Sequence, residues 1–365
     1  MQNLLAGTPS RDHYRSDQRA RRRGRRAGRN NMTIRFGLIG CGIMGADHAR
    51  ILRSDIAGAE LVAVQDMDTG RAAAVADGNC RVHSTAEALV ADRGVDALII
   101  ASPDRTHAPL TLAAIAAGKP VLCEKPMAAS LDEARAVVAA EIAAGRPLVQ
   151  VGFMRRFDPG YRALRAAVAE ETHGRPLFLH CVHRNAVGPD YVTSDLVLAN
   201  SCVHEIDISR FVLGEDHARV RVIAARPSRR AANRRPLMMI LESASGVIVS
   251  VEAFLDAQYG YDVQGELVCE DGTLSLDPHP PVSRRHGGLD GYGVEPDWRG
   301  RFADAYRYQL RDFVVALNGG RFLGASAWDG YVAAATAEAA LKALAGGNVE
   351  TVDAGERPMF YATRA

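Results

Sequence analysis

The sequence predicts an α/β chain. An N-terminal doubly wound parallel sheet is followed by an α+β region on an open, mainly antiparallel sheet. Three observations predict this. An apolar run of Ile34, Phe36, Leu38 and Ile39 ends in Gly40-Cys41-Gly42-Ile43-Met44-Gly45, a G-x-G-x-x-G turn between strand and helix. Strand-like and helix-like segments then alternate to about residue 152. Beyond that point, strand-like runs succeed one another across short turns.

In such a turn the first glycine allows the bend, the second lets the backbone approach a pyrophosphate, and the third lets the helix pack closely on the strand. The phosphates would sit at a helix N-terminus, where free N–H groups and the macrodipole favour an anion. Gly40, Gly42, Ile43, Met44 and Gly45 are therefore expected along a dinucleotide. The next apolar run, Leu61 to Val64, ends at Gln65-Asp66, and Asp66 lies 26 residues after Gly40. A carboxylate there accepts hydrogen bonds from a ribose 2′-hydroxyl and repels a 2′-phosphate, which favours NAD over NADP. A solvated acid at a strand end is the alternative for Asp66.

In chain order, helices are expected at 46–52, 71–76, 85–91, 107–117 and 131–144, and strands at 95–101, 120–123 and 148–152. This gives a Rossmann domain over 32–152. From 153 the texture changes. A helix at 161–171 and a strand at 177–183 precede a helix at about 201–213. Strands follow at 220–225, 237–242, 246–254 and 262–269, and helices at about 302–317 and 328–345 close a domain over 153–365. Residues 277–300, rich in Pro, Gly and His, read as a long loop.

Composition narrows the function. The 365 residues suffice for two domains, and no run of 18 apolar residues appears, so no membrane span is expected. Six scattered cysteines without a C-x-x-C pair argue against a zinc site or a disulfide framework and fit a reducing, cytoplasmic setting. The net charge of +1 hides an asymmetry: residues 1–31 carry nine arginines and two aspartates, leaving the rest at −6. That remainder has no basic stripe for nucleic acid. Residues 1–31 are expected to be disordered, either a basic tail or the product of a start assigned ahead of Met32.

Several segments carry groups suited to chemistry. Glu124-Lys125-Pro126 follows the strand at 120–123, at the end where open α/β sheets place ligands. Lys125 is one of only three lysines, with 119 and 342, against 41 arginines. A lysine is a compact charge with a tunable pKa, although a surface loop lysine would look the same. In Asn200-Ser201-Cys202-Val203-His204-Glu205-Ile206-Asp207, Asn200 or Ser201 is a plausible N-cap and His204 a candidate acid or base. A structural histidine is the alternative. Met154-Arg155-Arg156, His183-Arg184-Asn185 and Tyr259-Gly260-Tyr261 offer polar groups for a hydroxylated ligand or for scaffolding.

The segments GLIGCGIMGADHAR, ASPDRTHAPL, GKPVLCEKPM, VGFMRRFDPGY, HRN, SCVHEIDISRF, YGYDVQGELVCEDGTL and AWDGYVAA resemble the Gfo/Idh/MocA oxidoreductases in order and spacing. MRRFD, HRN and YGYD look most like the inositol 2-dehydrogenase branch. The resemblance implies NAD-dependent oxidation of a ring hydroxyl of myo-inositol or a stereoisomer to a ketone. It further implies that Lys125 positions the hydroxyl and steadies its developing charge while His204 takes its proton. Met154, Arg155, His183, Asn185, Asn200 and Tyr261 would contact the polyol, and Ser102, Pro103, His107, Glu124 and Lys125 would line the cofactor. No metal is implied. Homodimers or homotetramers through the outer face of the antiparallel sheet are also implied.

One departure stands out. Relatives usually carry Asp four residues before the catalytic histidine, and this chain has Asn200. That keeps a sugar or anhydrosugar substrate open beside an inositol. A catalytically silent NAD-binding regulator is disfavoured by the presence of both Lys125 and His204. A nucleic-acid-binding role would rest on the arginine tail alone.

Overall fold

The computed structural model describes residues 32–276 and 282–362. The arginine-rich stretch at 1–31 lies outside the described residues, as do residues 277–281 of the expected loop.

The first sheet is built from short strands, buried except at the β3 edge: β1 (Ile34–Ile39), β2 (Ala59–Gln65), β3 (Arg81–Val82), β4 (Ala97–Ile100), β5 (Val121–Cys123) and β6 (Val149–Val151). All pair in parallel in the order β3-β2-β1-β4-β5-β6. The strand order reverses between β1 and β4, which opens a crevice at their C-terminal ends. Helices α1 (Ile43–Asp55), α2 (Thr69–Val75), α3 (Ala86–Ala91), α4 (His107–Ala116) and α5 (Leu131–Ala144) supply the crossovers. Local sequence fixes their ends. Asp68, Thr85 and Ser130 cap α2, α3 and α5 by accepting from backbone N–H groups of the first turn, and Gly145 ends α5 in the left-handed conformation.

The second sheet has seven strands: β7 (Pro176–Arg184), β8 (His217–Ala224), β9 (Leu237–Ser243), β10 (Ile248–Phe254), β11 (Asp262–Cys269), β12 (Gly272–Ser275) and β15 (Glu350–Thr351). Their order is β12-β11-β7-β10-β9-β8-β15. The sheet is mostly antiparallel, but β7 and β10 run parallel side by side. The segment read as one long loop holds a small hairpin, β13 (Arg284–His286) with β14 (Leu289–Gly291). Buried residues alternate along β7 to β11, so one face lies on helices and the other outward.

Four longer helices complete this region among the described residues: α6 (Pro159–Ala169), α7 (Val203–Leu213), α8 (Trp298–Leu317) and α9 (Ala327–Gly346). Asp158 caps α6, accepting from Gly160 N and Tyr161 N at 3.0 and 3.2 Å, with Pro159 in the first turn. Ser326 and Asp329 form a reciprocal capping box at the start of α9. No helix among the described residues is long and apolar enough to cross a membrane.

The expected N-cap on α7 is corrected. Cys202 occupies that position without a side-chain cap, preceded by a π-helical turn over Val197–Ser201. The Cys202 N–H reaches back to the Val197 carbonyl, and Asn200 uses its side chain elsewhere. Such turns recur at functional sites because they re-aim one side chain out of a regular helix. α7 is also buried nearly all round, its polar residues being paired inside the molecule.

Candidate active site

Two of the three fingerprint glycines are required by contact. Gly40 has φ of +91°, and a Cβ there would meet the Ala101–Ser102 backbone at 2.5 Å. A Cβ on Gly45 would lie 1.9 Å from the Gly40 carbonyl oxygen. Gly42 differs, because nothing lies within 4 Å of its missing Cβ. The turn therefore leaves an open cradle against the start of α1, which fits a dinucleotide pyrophosphate. Asp66 closes the turn from β2: its Oδ2 accepts from Cys41 N at 2.6 Å and its Oδ1 from Asp68 N at 2.8 Å.

The crevice continues past β4 and β5. Ser102 and Asp104 flank Pro103, and His107 begins α4. Both ring nitrogens of His107 face carbonyl oxygens, Pro126 O at 2.6 Å and Ser102 O at 2.8 Å. Burial works against its charge, yet Cys123 and these two carbonyls lift its pKa to about 10. His107 thus ties the loop after β4 to the loop after β5, and its nitrogens are spent on backbone. Buried Glu124 accepts from His48 Nε2 of α1 at 2.8 Å and joins a third element to the same corner.

Lys125 follows, and its peptide bond to Pro126 is cis. Its Nζ donates to Asn200 Oδ1 at 2.9 Å and to the Asn200 carbonyl at 3.1 Å. Desolvation lowers its pKa, opposed by Glu124 and Asp104. The other two lysines do ordinary work: Lys119 Nζ reaches Asp92 O at 2.5 Å, and Lys342 pairs with Glu338 one turn away on α9. Only Lys125 faces the crevice.

His204, in the first turn of α7, is buried, and its Nδ1 has no hydrogen-bond partner. Burial, with Lys125, Arg155 and His183 nearby, lowers its pKa well below that of an ordinary histidine. The ring is therefore neutral near pH 7, with one ring nitrogen carrying a free lone pair. Phe153 holds it edge-on at 6.1 Å between centroids. Asp207 does not pair with it. Asp207 binds Arg156 at 2.6 to 3.1 Å, and Arg156 also reaches Asp329 at 3.1 Å.

Lys125, His204, His183, Asn185, Tyr261 and Met154 share one cavity of about 260 Å³, whose lining also includes Met44, Ser102, His107 and Glu124. Asn185 Oδ1, like His204 Nδ1, is a buried polar atom without a hydrogen-bond partner. A buried polar atom costs free energy until it is hydrogen-bonded, so two on one cavity fit a hydroxylated ligand.

Arg155 lies behind the cavity wall. It is fully buried, pairs with Glu205, sits over the Phe302 ring and lies 3.4 Å from His183 Nδ1. Pro103 is exposed and outside the cavity lining. Sequence reasoning also overlooked wall residues: Asp104 and, on α8, Trp298 and Tyr306. Asp104 stands inside the ASPDRTHAPL segment, so the signal was present. Nothing local distinguishes Tyr306 from a core aromatic.

Comparison with known proteins agrees with this geometry. The family model of an oxidoreductase family with an NAD-binding Rossmann fold, GFO/IDH/MocA, matches residues 34–153, and the GFO/IDH/MocA C-terminal domain matches residues 161–275. Inositol 2-dehydrogenase 1 of Saccharopolyspora erythraea is 47% identical over 337 residues, covering 91% of this chain and 100% of that protein. Inositol 2-dehydrogenase of Paracoccus denitrificans is 44% identical over 338 residues, with coverages of 91% and 100%. The crystal structure of myo-inositol dehydrogenase from Lactobacillus casei in complex with NAD(H) and myo-inositol superposes with a TM-score of 0.86 at 30% identity. It covers 90% of this chain and 100% of that one.

Proposed function

The chain belongs to the GFO/IDH/MocA oxidoreductase family, and on that premise we propose that it is an NAD-dependent dehydrogenase that oxidises a ring hydroxyl of an inositol to a ketone. One observation carries the reading. An ammonium, Lys125, and a neutral imidazole, His204, face one cavity at the C-terminal end of β5, beside an open glycine cradle.

The cradle at Gly42 and the Asp66 carboxylate would hold NAD, which when bound supplies the hydride acceptor. The remaining work falls to side chains. An alcohol is too weak an acid to ionise near pH 7, so its proton must leave as the hydride leaves. His204 receives that proton on a ring nitrogen. Lys125 donates a hydrogen bond to the reacting oxygen and offsets its developing negative charge in a site screened from water. His183, Asn185 and Tyr261 hold the other hydroxyls, with Met154 as the apolar floor. Arg155 supports this wall from behind rather than touching substrate.

The six free thiols fit a reducing compartment such as the cytoplasm. The outer face of the second sheet exposes Phe178, Ile223 and Met238, which supports a homodimer or homotetramer formed across that face.

The test is NADH formation by purified protein with NAD or NADP against myo-, scyllo- and chiro-inositol, glucose, xylose and levoglucosan. The expected result is fastest turnover on an inositol with NAD. Turnover confined to a pyranose would move the substrate to a sugar or anhydrosugar. Binding of NAD without turnover on any of them would point to a substrate outside this panel or to a silent cofactor-binding protein.

A further inference from the structure

The Asn200 carboxamide is occupied at both ends. Its Oδ1 accepts from Lys125 Nζ at 2.9 Å, and its Nδ2 donates to Asp104 Oδ2 at 2.5 Å. An ammonium can only donate and a carboxylate can only accept, so these partners fix which end of the amide points which way. The three residues come from different parts of the fold. Asp104 opens a 3-10 turn after β4, Lys125 follows β5, and Asn200 lies in the π-helical turn before α7. Asp104 is half-buried and lines the same cavity as Lys125.

Lys125 Nζ hydrogen-bonds to neutral oxygens of Asn200, its carbonyl and its Oδ1. The charged groups acting on it are Glu124, Asp104 and Glu205, which favour the ammonium, and Arg155, which opposes it; His204 is the further titratable group alongside. Glu124 already accepts from His48, and Glu205 is paired with Arg155 and His183. Asp104 is the carboxylate linked to the lysine ammonium by hydrogen bonds through the Asn200 amide. An amide that donates to a carboxylate is polarised, which makes its oxygen a stronger acceptor.

We propose that Asp104 is a positioning residue for the oxidation, acting through Asn200 to hold the Lys125 ammonium charged and aimed at the reacting hydroxyl. The negative charge that a carboxylate at position 200 would provide directly is supplied here one residue further out. This inference rests on the reading of Lys125 as the group that meets that hydroxyl.

The experiment compares the wild type with Asp104→Asn, Asp104→Asn/Asn200→Asp and Lys125→Ala. For each, kcat and KM are measured on myo-inositol with NAD, with the pH profile of kcat/KM and the melting temperature. Asp104→Asn preserves shape and removes charge. It should lower kcat about tenfold or more with little change in KM, as expected for loss of a charge-assisted hydrogen bond. Its alkaline limb should move to lower pH, because Lys125 loses its proton more easily. The double exchange restores a carboxylate beside the lysine, with the new amide at position 104 able to donate to it, so kcat and the limb should recover. Wild-type kcat and limb in Asp104→Asn, with Lys125→Ala inactive, would overturn the role of Asp104 alone. So would a loss that the double exchange fails to repair, which would assign Asp104 to the shape of its turn. Normal turnover by Lys125→Ala would overturn the lysine reading itself.

Discussion

His183 Nδ1 lies 3.0 Å from Glu205 Oε2, on a carboxylate whose other oxygen accepts from Arg155. All three groups are buried. His183 Nδ1–H donates to this carboxylate, which fixes the orientation of the imidazole ring. Tyr261 braces the ring edge-on at 6.0 Å. A strand residue of the second sheet is thus aimed by a fully buried helix residue.

Glu205→Gln tests this arrangement. It leaves the Arg155 charge buried without its counter-ion, and breaking such a pair costs about 3 kcal/mol or more. The melting temperature should fall, and KM for the polyol should rise as His183 loosens. The pH dependence follows from the direction of the shift. Burial alone would raise the Glu205 pKa, but Arg155 and His183 hold it at about 2, against an ordinary value of 4.5. Its contribution to stability is therefore complete above pH 4.5 and is lost as pH falls toward 2. Acid unfolding followed by circular dichroism should start at higher pH in the variant; identical acid transitions would show that the pair contributes nothing.

His204→Gln should abolish most turnover while leaving NAD binding intact, measured by fluorescence titration. In the wild type the acid limb of kcat/KM should lie below pH 6.5, because burial, then Lys125, Arg155 and His183, depress the pKa of the ring. The sign for stability agrees: a histidine kept neutral by the fold stabilises it fully above 6.5 and progressively less as pH falls through its folded value. An acid limb at or above 6.5 would place the titrating group elsewhere.

Asp66→Ala should erode the preference for NAD over NADP. The carboxylate holds the turn through Cys41 N, at the end of the second strand where a ribose-binding acid is expected. Removing it takes away both an acceptor for the 2′-hydroxyl and a repulsion toward a 2′-phosphate, so kcat/KM with NAD should fall about tenfold or more. An unchanged NAD to NADP ratio would move the ribose contact to another residue.

Most of the first sheet is legible in the sequence, because short apolar runs ending in turn residues have few other readings. The helix expected at 131–144 is found over Leu131–Ala144, since Ser130 and Gly145 mark both ends chemically. The parallel pairing of β7 with β10 is not legible: alternation reports which face is buried and says nothing of a neighbour's direction. The strands at Arg81–Val82 and Glu350–Thr351 are too short to carry a pattern. Of the site, Lys125, His204 and Asn185 stand out by residue type and position. The pairing of Arg155 is not legible, because nothing in the Arg155-Arg156 segment signals that Glu205, fifty residues away, binds its guanidinium.

Gly42→Ala and Gly45→Ala separate the two tasks of the glycine turn. At Gly45 a methyl would meet the Gly40 carbonyl oxygen at 1.9 Å, a contact with backbone that no side chain can relieve by rotating. The helix must move off the strand, so that variant should lose stability and NAD binding together. At Gly42 nothing lies within 4 Å of the added methyl, and its φ of −71° is open to any residue. Gly42→Ala should therefore melt at the wild-type temperature while binding NAD more weakly, because the methyl takes the space through which a pyrophosphate reaches the backbone. Calorimetry for stability and fluorescence titration for affinity distinguish the outcomes. Wild-type NAD affinity in Gly42→Ala would show that the cofactor does not approach the chain at this turn, and the open space beside Gly42 would then need another occupant.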